Sequence, residues 1–425
     1  MEAHDVVVLG AGLAGLRCAA RVAQAGHDVV VLEAEEVVGG RQRTDAVDGF
    51  LLDRGFQLLN PAYPAVKRWV DVDELRLRSF PVGVAVRREK GLVELSDPLR
   101  RPSGLPATVR SGLLGPMDAA ALARWVLPVL LSPRAVIRGA DRTLREGWDR
   151  VGLRGPLRRE VLEPFLAGVP AEDRGETSDS FTRLLIRMFV LGAPGVPEQG
   201  IAAVPAQLAR TAAMAGADIR LGMRAGGVGR RDGIAHIDVE GADAIAARAV
   251  VVAVGPDRVA DLTELPRPTT RGLQTWWFAA DAAPTASGML AVDGRRAGPV
   301  VNAVVMSHTA PSYAPAGRHL ISATCLLSSR ARTDPGSAPQ EADVRRHIGE
   351  LWGTAADDWQ LLRRDDIHDA LPAQPPPLQT ISSTRQGDGV YVAGDHRDTP
   401  SIQGALVSGE RAARAVLADL ASRGA

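Results

Sequence analysis

Lysine is almost missing from this chain. Only Lys67 and Lys90 occur among 425 residues, and arginine carries the rest of the positive charge. Cysteine is equally scarce. Cys18 and Cys325 are the only two, far apart in sequence. That excludes a disulfide framework and makes a reducing compartment, the cytoplasm, the expectation. With the cysteines separated and the eight histidines dispersed, no metal site is expected. Charge of one sign is lacking too: 50 Lys and Arg face 50 Asp and Glu. No global field then draws in nucleic acid or anionic lipid, and nucleic acid is excluded as an expected partner. Long apolar runs are also missing. The stretch from Ala119 to Leu131 is interrupted by Arg124 and Pro128 and is too short to span a bilayer. It is expected to be a buried helix of a substrate domain, with weak peripheral membrane contact left open. A signal peptide needs a basic start and a small-residue cleavage site, and the first residues offer neither. No internal repeat or low-complexity segment occurs, and the sequence leaves the oligomeric state undetermined.

What remains is an ordinary globular balance, 45% hydrophobic and 24% charged, with length enough for roughly three domains. Residues 5–9 read as a strand buried on both faces. A helix from about Leu13 to Gly26 and a strand from His27 to Glu33 complete a βαβ unit. From Leu105 to Gly192 the pattern turns helical, with helices at Arg110–Leu131, Arg134–Val151, Pro156–Gly168 and Ser178–Leu191. A further helix lies within Glu198–Gly216. It precedes a strand at Asp218–Leu221, a turn at Arg231-Asp232-Gly233 and a buried strand at Ala246–Val254. Antiparallel strands are expected at Thr275–Ala280, Gly288–Val292, Val300–Ser307 and His319–Leu327. A helix at Gln340–Trp352, a strand at Val390–Gly394 and a long helix from Pro400 to Ala421 close the chain. The simplest arrangement is a discontinuous α/β domain interrupted by substrate-binding pieces.

Gly10-Ala11-Gly12-Leu13-Ala14-Gly15 lies between the first strand and the first helix. Gly10 permits the tight turn, Gly12 lets a pyrophosphate approach the backbone, and Gly15 lets helix and strand pack closely. The helix start offers free N–H groups to phosphate. Glu33 ends the second strand, where a carboxylate accepts from a ribose diol. Gly39-Gly40-Arg41 follows and can set backbone and cation beside the same pyrophosphate. Far away lies Val390-Tyr391-Val392-Ala393-Gly394-Asp395, then Pro400-Ser401-Ile402-Gln403-Gly404-Ala405. There Thr399 reads as a helix N-cap and Pro400 as the first helical residue.

In these motifs the chain resembles the FAD-dependent oxidoreductases that include flavin amine oxidases, protoporphyrinogen oxidases and carotenoid or squalene desaturases. The resemblance rests on the glycine fingerprint, the G-G-R-x-x-T run at Gly39–Thr44, the F-x-x-D-x-G run at Phe50–Gly55 and the C-terminal A-G-D…S-I-Q-G-A-x-x-S-G run. Weaker similarity runs through Leu162–Phe165, Gly200–Leu208 and Ala370-Leu371-Pro372. It implies bound FAD. It places Asp395 at the ribityl or pyrophosphate part and the backbone near Ala225 at the adenine. The implied fold is α/β. A discontinuous Rossmann-like FAD-binding domain would comprise 1–75, 196–262 and 373–425. An α+β substrate domain would comprise the mostly helical 76–195 and the antiparallel sheet of 263–372. The cofactor-binding residues are expected to be Gly10, Gly12, Leu13, Ala14, Gly15, Glu33, Ala34, Gly39, Gly40, Arg41, Gly55, Phe56, Ala225, Gly394, Asp395, Ser401, Ile402 and Gly404.

Only one nucleotide fingerprint is present, so electrons are expected to leave for oxygen, a quinone or another diffusible acceptor. The reaction implied is hydride removal from a C–H bond, forming C=N from an amine or C=C from a hydrocarbon. Many amine oxidases of the family carry a lysine near the flavin and an aromatic cage for the amine. Residues 274–327 contain no lysine, and Pro400–Gly404 replaces the aromatic residues. Both departures favour an apolar C–H donor over an amine, with a redox-neutral flavoprotein as the third class. Candidate catalytic residues are Gln57, Trp277, His308, Tyr313 and His396. Trp276 and Trp277 point to opposite faces of one strand.

Overall fold

The computed structural model describes residues 2–96, 100, 110–387 and 389–423. Leu105, where the sequence opens the helical region, lies outside the described residues. Two seven-stranded sheets organise the chain. The first has the order Ala225–Arg231, Ile234–Val239, Ile245–Val252, Glu2–Leu9, Val29–Leu32, Asp218–Arg220, and Val390–Val392 also pairs with Ile245–Val252. Its centre is parallel: Val6–Leu9 lies beside Val29–Leu32 on one side and Ala249–Val252 on the other. These valines are at most 2% exposed, as strands covered on both faces require. One face packs on helices Leu13–Ala23, Ala203–Met214 and Ile402–Arg423. Segments from both ends of the chain thus share one sheet.

The second sheet runs Gln360–Pro372, Thr270–Ala280, His319–Leu327, Val300–Val305, Leu290–Asp293, Gly83–Arg88, Gly91–Ser96. It is antiparallel except where Leu290–Asp293 runs parallel to Gly83–Arg88. One face sets Trp276, Phe278 and Ile321 against Val344, Ile348 and Leu351 of helix Glu341–Trp352. The other sets Trp277, Val304 and Leu320 against Phe50, Leu52 and Tyr313. The two tryptophans do occupy opposite faces, and both end in core.

Several local expectations need correction. The helix expected over Arg134–Val151 is two, Pro133–Arg138 and Leu144–Val151. Thr143 starts the second with a capping box closed by Glu146. The helix over Pro156–Gly168 begins as a π-helical turn, Leu157–Leu162, and becomes α-helical at Glu163. The change falls beside Pro164, which has no N–H to give. The helix containing Ala119–Leu131 buries only one stripe, Asp118, Ala121, Trp125 and Val129, while Leu131 is 82% exposed. The region expected to be mostly helical supplies two strands, Gly83–Arg88 and Gly91–Ser96. No helix among the described residues is long and apolar enough to cross a membrane.

Candidate cofactor site and adjoining cavity

The glycine turn is built by close contacts. A Cβ on Gly15 would stand 1.9 Å from the Gly10 carbonyl oxygen, so only glycine lets the helix start there. Gly10 has φ +102°, a backbone that other residues rarely adopt. Gly12 differs: a Cβ there would meet nothing within 4 Å. Its surroundings leave a cradle that a side chain would fill. No side chain caps the helix that follows, so its first N–H groups remain available to an anion. Gly40 lies alongside, where an added Cβ would be 3.6 Å from Gly12 Cα, and the Gly39 N–H donates to the Ala11 carbonyl. The two glycine turns therefore form one continuous edge.

Glu33 is 7% exposed. The Ala11 N–H donates to its Oε2 at 2.7 Å and the Glu35 N–H to its Oε1 at 3.0 Å. The carboxylate thus fixes the turn at the end of the second strand. The Met223 N–H donates to the Glu33 carbonyl at 2.7 Å, which ties the chain two residues before Ala225 to the end of the second strand. Across the site, Arg41 Nη2 donates to Asp395 Oδ1 at 2.5 Å and Nη1 to the Ala370 carbonyl at 2.8 Å. Asp395 is 4% exposed. The Gly394 N–H donates to Ser408 Oγ.

The terminal helix starts later than expected. Ile402 is its first residue, and Ser401, not Thr399, is the cap: its Oγ accepts from the Gly404 N–H at 3.1 Å. Pro400 therefore precedes the cap. The two helical glycines have separate reasons. A Cβ on Gly404 would strike the Thr399 carbonyl at 1.9 Å, and one on Gly409 the Ala14 carbonyl at 2.2 Å. Glu410 then forms a buried ion pair with Arg17, Nη2 to Oε2 at 2.6 Å.

The candidate catalytic residues do not gather at one point. Gln57 donates through Nε2 to the carbonyls of Arg41 and Arg54, so it braces the cofactor loop. Trp277 is fully buried in the cluster with Phe50 and Leu52. Tyr313, also fully buried, donates to Asp53 Oδ2 at 3.0 Å. His308 is exposed, within hydrogen-bond distance of the Thr285 carbonyl, and its ring centroid is 5.3 Å from that of His319. His396 folds back over Gly394. Neither of its buried ring nitrogens has a partner, and burial holds its pKa down at about 4 against the pull of Asp395.

Sequence reasoning gave Asp53 no role, although it is the aspartate of the F-x-x-D-x-G run. It is 1% exposed, and burial lifts its carboxyl to about 6 even though Thr44, the Ile201 N–H and Tyr313 all donate to it. It ties the G-G-R-x-x-T segment to the chain after Gly200. Gly55 and Phe56 follow directly. A Cβ on Gly55 would press on Ile367 of the second sheet at 2.9 Å.

A small cavity of about 30 Å³ adjoins the segment after Ala370, the carbonyl that Arg41 bonds. Its wall comprises Val169, Pro170, Thr177, Phe181 and Leu185 from the helical layer. Arg271 and Leu371–Gln374 come from the second sheet and the chain beyond it, and Pro400 from the start of the terminal segment. Arg41 reaches its rim by bonding Ala370, the neighbour of Leu371.

The family model for flavin-containing amine oxidoreductases matches residues 13–417. The chain belongs to that family. It is a flavin-dependent oxidoreductase, and FAD is the cofactor. The residues present fit that group: open space at Gly12, a helix start without a side-chain cap and a carboxylate at the end of the second strand lie together. The chain is 27% identical to the hydroxysqualene dehydroxylase of Rhodopseudomonas palustris, over 97% of this chain and 98% of that one. It is 45% identical to the putrescine oxidase of Kocuria rosea, but over only 18% of this chain and 16% of the other. Among solved structures it resembles an oxidoreductase from Methanosarcina mazei, with TM-score 0.75 and 20% identity over 96% of this chain and 99% of that one. Cyclohexylamine oxidase from Brevibacterium oxydans superposes with TM-score 0.65 and 16% identity over 98% and 99% of the two chains.

Proposed function

We propose that this flavoenzyme removes hydride from a C–H bond of an apolar small molecule, in the manner of a desaturase or porphyrinogen oxidase, and passes the electrons to oxygen or another diffusible acceptor. The observation that carries the reading is the cavity wall. Val169, Pro170, Phe181, Leu185, Leu371 and Pro372 make most of it, and no lysine, tyrosine or tryptophan lines it. Both lysines of the chain are exposed, one on the short helix Pro64–Trp69 and one at the turn after Gly83–Arg88. An amine would find neither a lysine nor an aromatic cage at this wall. The relative similar along its whole length is named for hydroxysqualene, which agrees with an isoprenoid-like body.

Bound FAD supplies a two-electron acceptor for hydride, and the substrate proton leaves to solvent or a base. The chain supplies position. The glycine turns and Glu33 would hold the nucleotide, and Arg41 bonds Asp395 of the C-terminal segment. The N-terminus of the terminal helix, at Ser401 and Ile402, would offer positive potential to bound flavin. The apolar residues of the wall, Val169, Phe181, Leu185 and Leu371 among them, face the carbon skeleton. An anaerobic screen of isoprenoids, porphyrinogens and amines, read at the flavin absorbance, tests the reading. Bleaching by an isoprenoid or porphyrinogen is expected; bleaching by amines alone would overturn it. Fast stoichiometric bleaching by NADH or NADPH would overturn the assignment of the electron acceptor.

A further inference from the structure

The helix Pro116–Leu131 turns one stripe inward, and Trp125 and Val129 on that stripe are fully buried. The opposite stripe carries Met117, Ala120, Ala123, Leu127 and Leu131, all exposed. Met117 is 86% and Leu131 82% exposed, and Ile137 on the next helix, Pro133–Arg138, is exposed as well. Large apolar side chains are thus gathered at one edge of the helical layer. Charge on that edge has one sign. Arg124, Arg134 and Arg138 are exposed. Arg124 Nη1 reaches back to the Val151 carbonyl at 2.9 Å, while Arg134 and Arg138 bond nothing among the described residues. Between residues 110 and 140 the only acid is Asp118, which is buried and accepts from the Gly155 N–H at 3.1 Å. In a chain whose charges balance overall, this edge is apolar and cationic at once.

We propose that this edge docks on an anionic lipid surface. Met117, Leu127, Leu131 and Ile137 enter the acyl boundary, and Arg134 and Arg138 meet headgroup phosphates. Apolar area with a cationic flank is what an interfacial helix brings to anionic lipid, and arginine stems lie along apolar surface while their heads stay at the phosphates. A second copy of this chain fits worse. An isologous pairing sets the same patch on both sides and brings the unpaired arginines towards their own kind. The helix has 16 residues, so the contact is peripheral and not a span. The docking does not depend on which substrate the enzyme takes.

The test is flotation of the FAD-loaded full chain with vesicles of phosphatidylcholine alone and of equal parts phosphatidylcholine and phosphatidylglycerol, read by flavin absorbance. Wild type is expected to float with the anionic vesicles, and about tenfold less with the neutral ones or in high salt. Leu127→Glu and Leu131→Glu should each lower the affinity about tenfold, and Arg134→Ser and Arg138→Ser about fivefold each. Met214→Glu, at a residue 83% exposed on the helix Ala203–Met214, should float as wild type does. All variants should keep wild-type flavin content, which shows them folded. Absence of wild-type flotation, or flotation that Leu131→Glu and the arginine variants leave unchanged, overturns the proposal. So does a dimer in sedimentation velocity that Leu131→Glu dissolves, because a second copy would then cover the stripe.

Discussion

Arg41 and Asp395 are 354 residues apart in sequence, yet their side chains meet at 2.5 Å. A second such pair, Arg17 with Glu410, spans 393 residues and is buried. One contact closes the cofactor loop on the C-terminal motif, and the other closes the first helix on the last. The nucleotide site therefore exists only when both ends of the chain have docked. Side chains this distant order each other at a loop-closure cost that grows only slowly with length.

The fingerprint glycines should separate folding from binding. Gly12→Val adds a side chain to open space, so the variant should fold with the thermal stability of FAD-free wild type and purify colourless. Gly15→Val drives a side chain into the Gly10 carbonyl and should fail to give soluble folded protein. Circular dichroism and flavin absorbance on both variants check this. A yellow Gly12→Val protein would remove the phosphate role of that cradle.

Gly409 should behave as a packing position. With Ala14 backbone 2.2 Å from its added Cβ, Gly409→Ala should destabilise by about 1–3 kcal/mol, the usual range for overpacking. Gly229→Ala, where nothing lies within 4 Å, should stay within about 0.5 kcal/mol of wild type. Urea midpoints decide it, and equal effects of the two substitutions would refute the helix contact.

Two buried groups should give opposite pH slopes. Asp53 holds its proton up to about pH 6 when folded, against an ordinary value of 3.8. Its stabilisation is full below that ordinary value and is lost as pH rises through 6. His396 resists protonation down to about pH 4 when folded, against an ordinary 6.5. Its stabilisation is full above 6.5 and is lost as pH falls through 4. Each difference is on the order of 3 kcal/mol. Relative to wild type, Asp53→Asn should gain stability as pH rises from 4 to 6.5, and His396→Phe should lose it. Urea unfolding at three pH values in that window measures both slopes. Parallel curves for all three proteins would contradict the assignment.

The nucleotide half of the molecule was legible because its signals are local. Val6–Leu9, the Gly10–Gly15 turn and Glu33 all fall within one βαβ unit at the start of the sequence, and the Ala11 N–H meets the Glu33 carboxylate. The edge strand Gln360–Pro372 was not legible: its run Arg363-Arg364-Asp365-Asp366 has no apolar alternation, since an edge strand is half wet. Its pairing with Thr270–Ala280 supplies what its sequence lacks. Trp277 and Tyr313 looked like chamber residues because composition cannot tell a core aromatic from a lining one.

On the proposed reading, Arg41 closed onto Asp395 holds FAD. The direct measurement is the FAD dissociation constant of wild type, Arg41→Gln, Asp395→Asn and the double variant. Each single substitution should weaken binding by about 1.5–3 kcal/mol, as losing a charged hydrogen bond does. The double should be little worse than the poorer single, because the pair acts as one unit. Wild-type affinity in both singles, or fully additive losses, would contradict it.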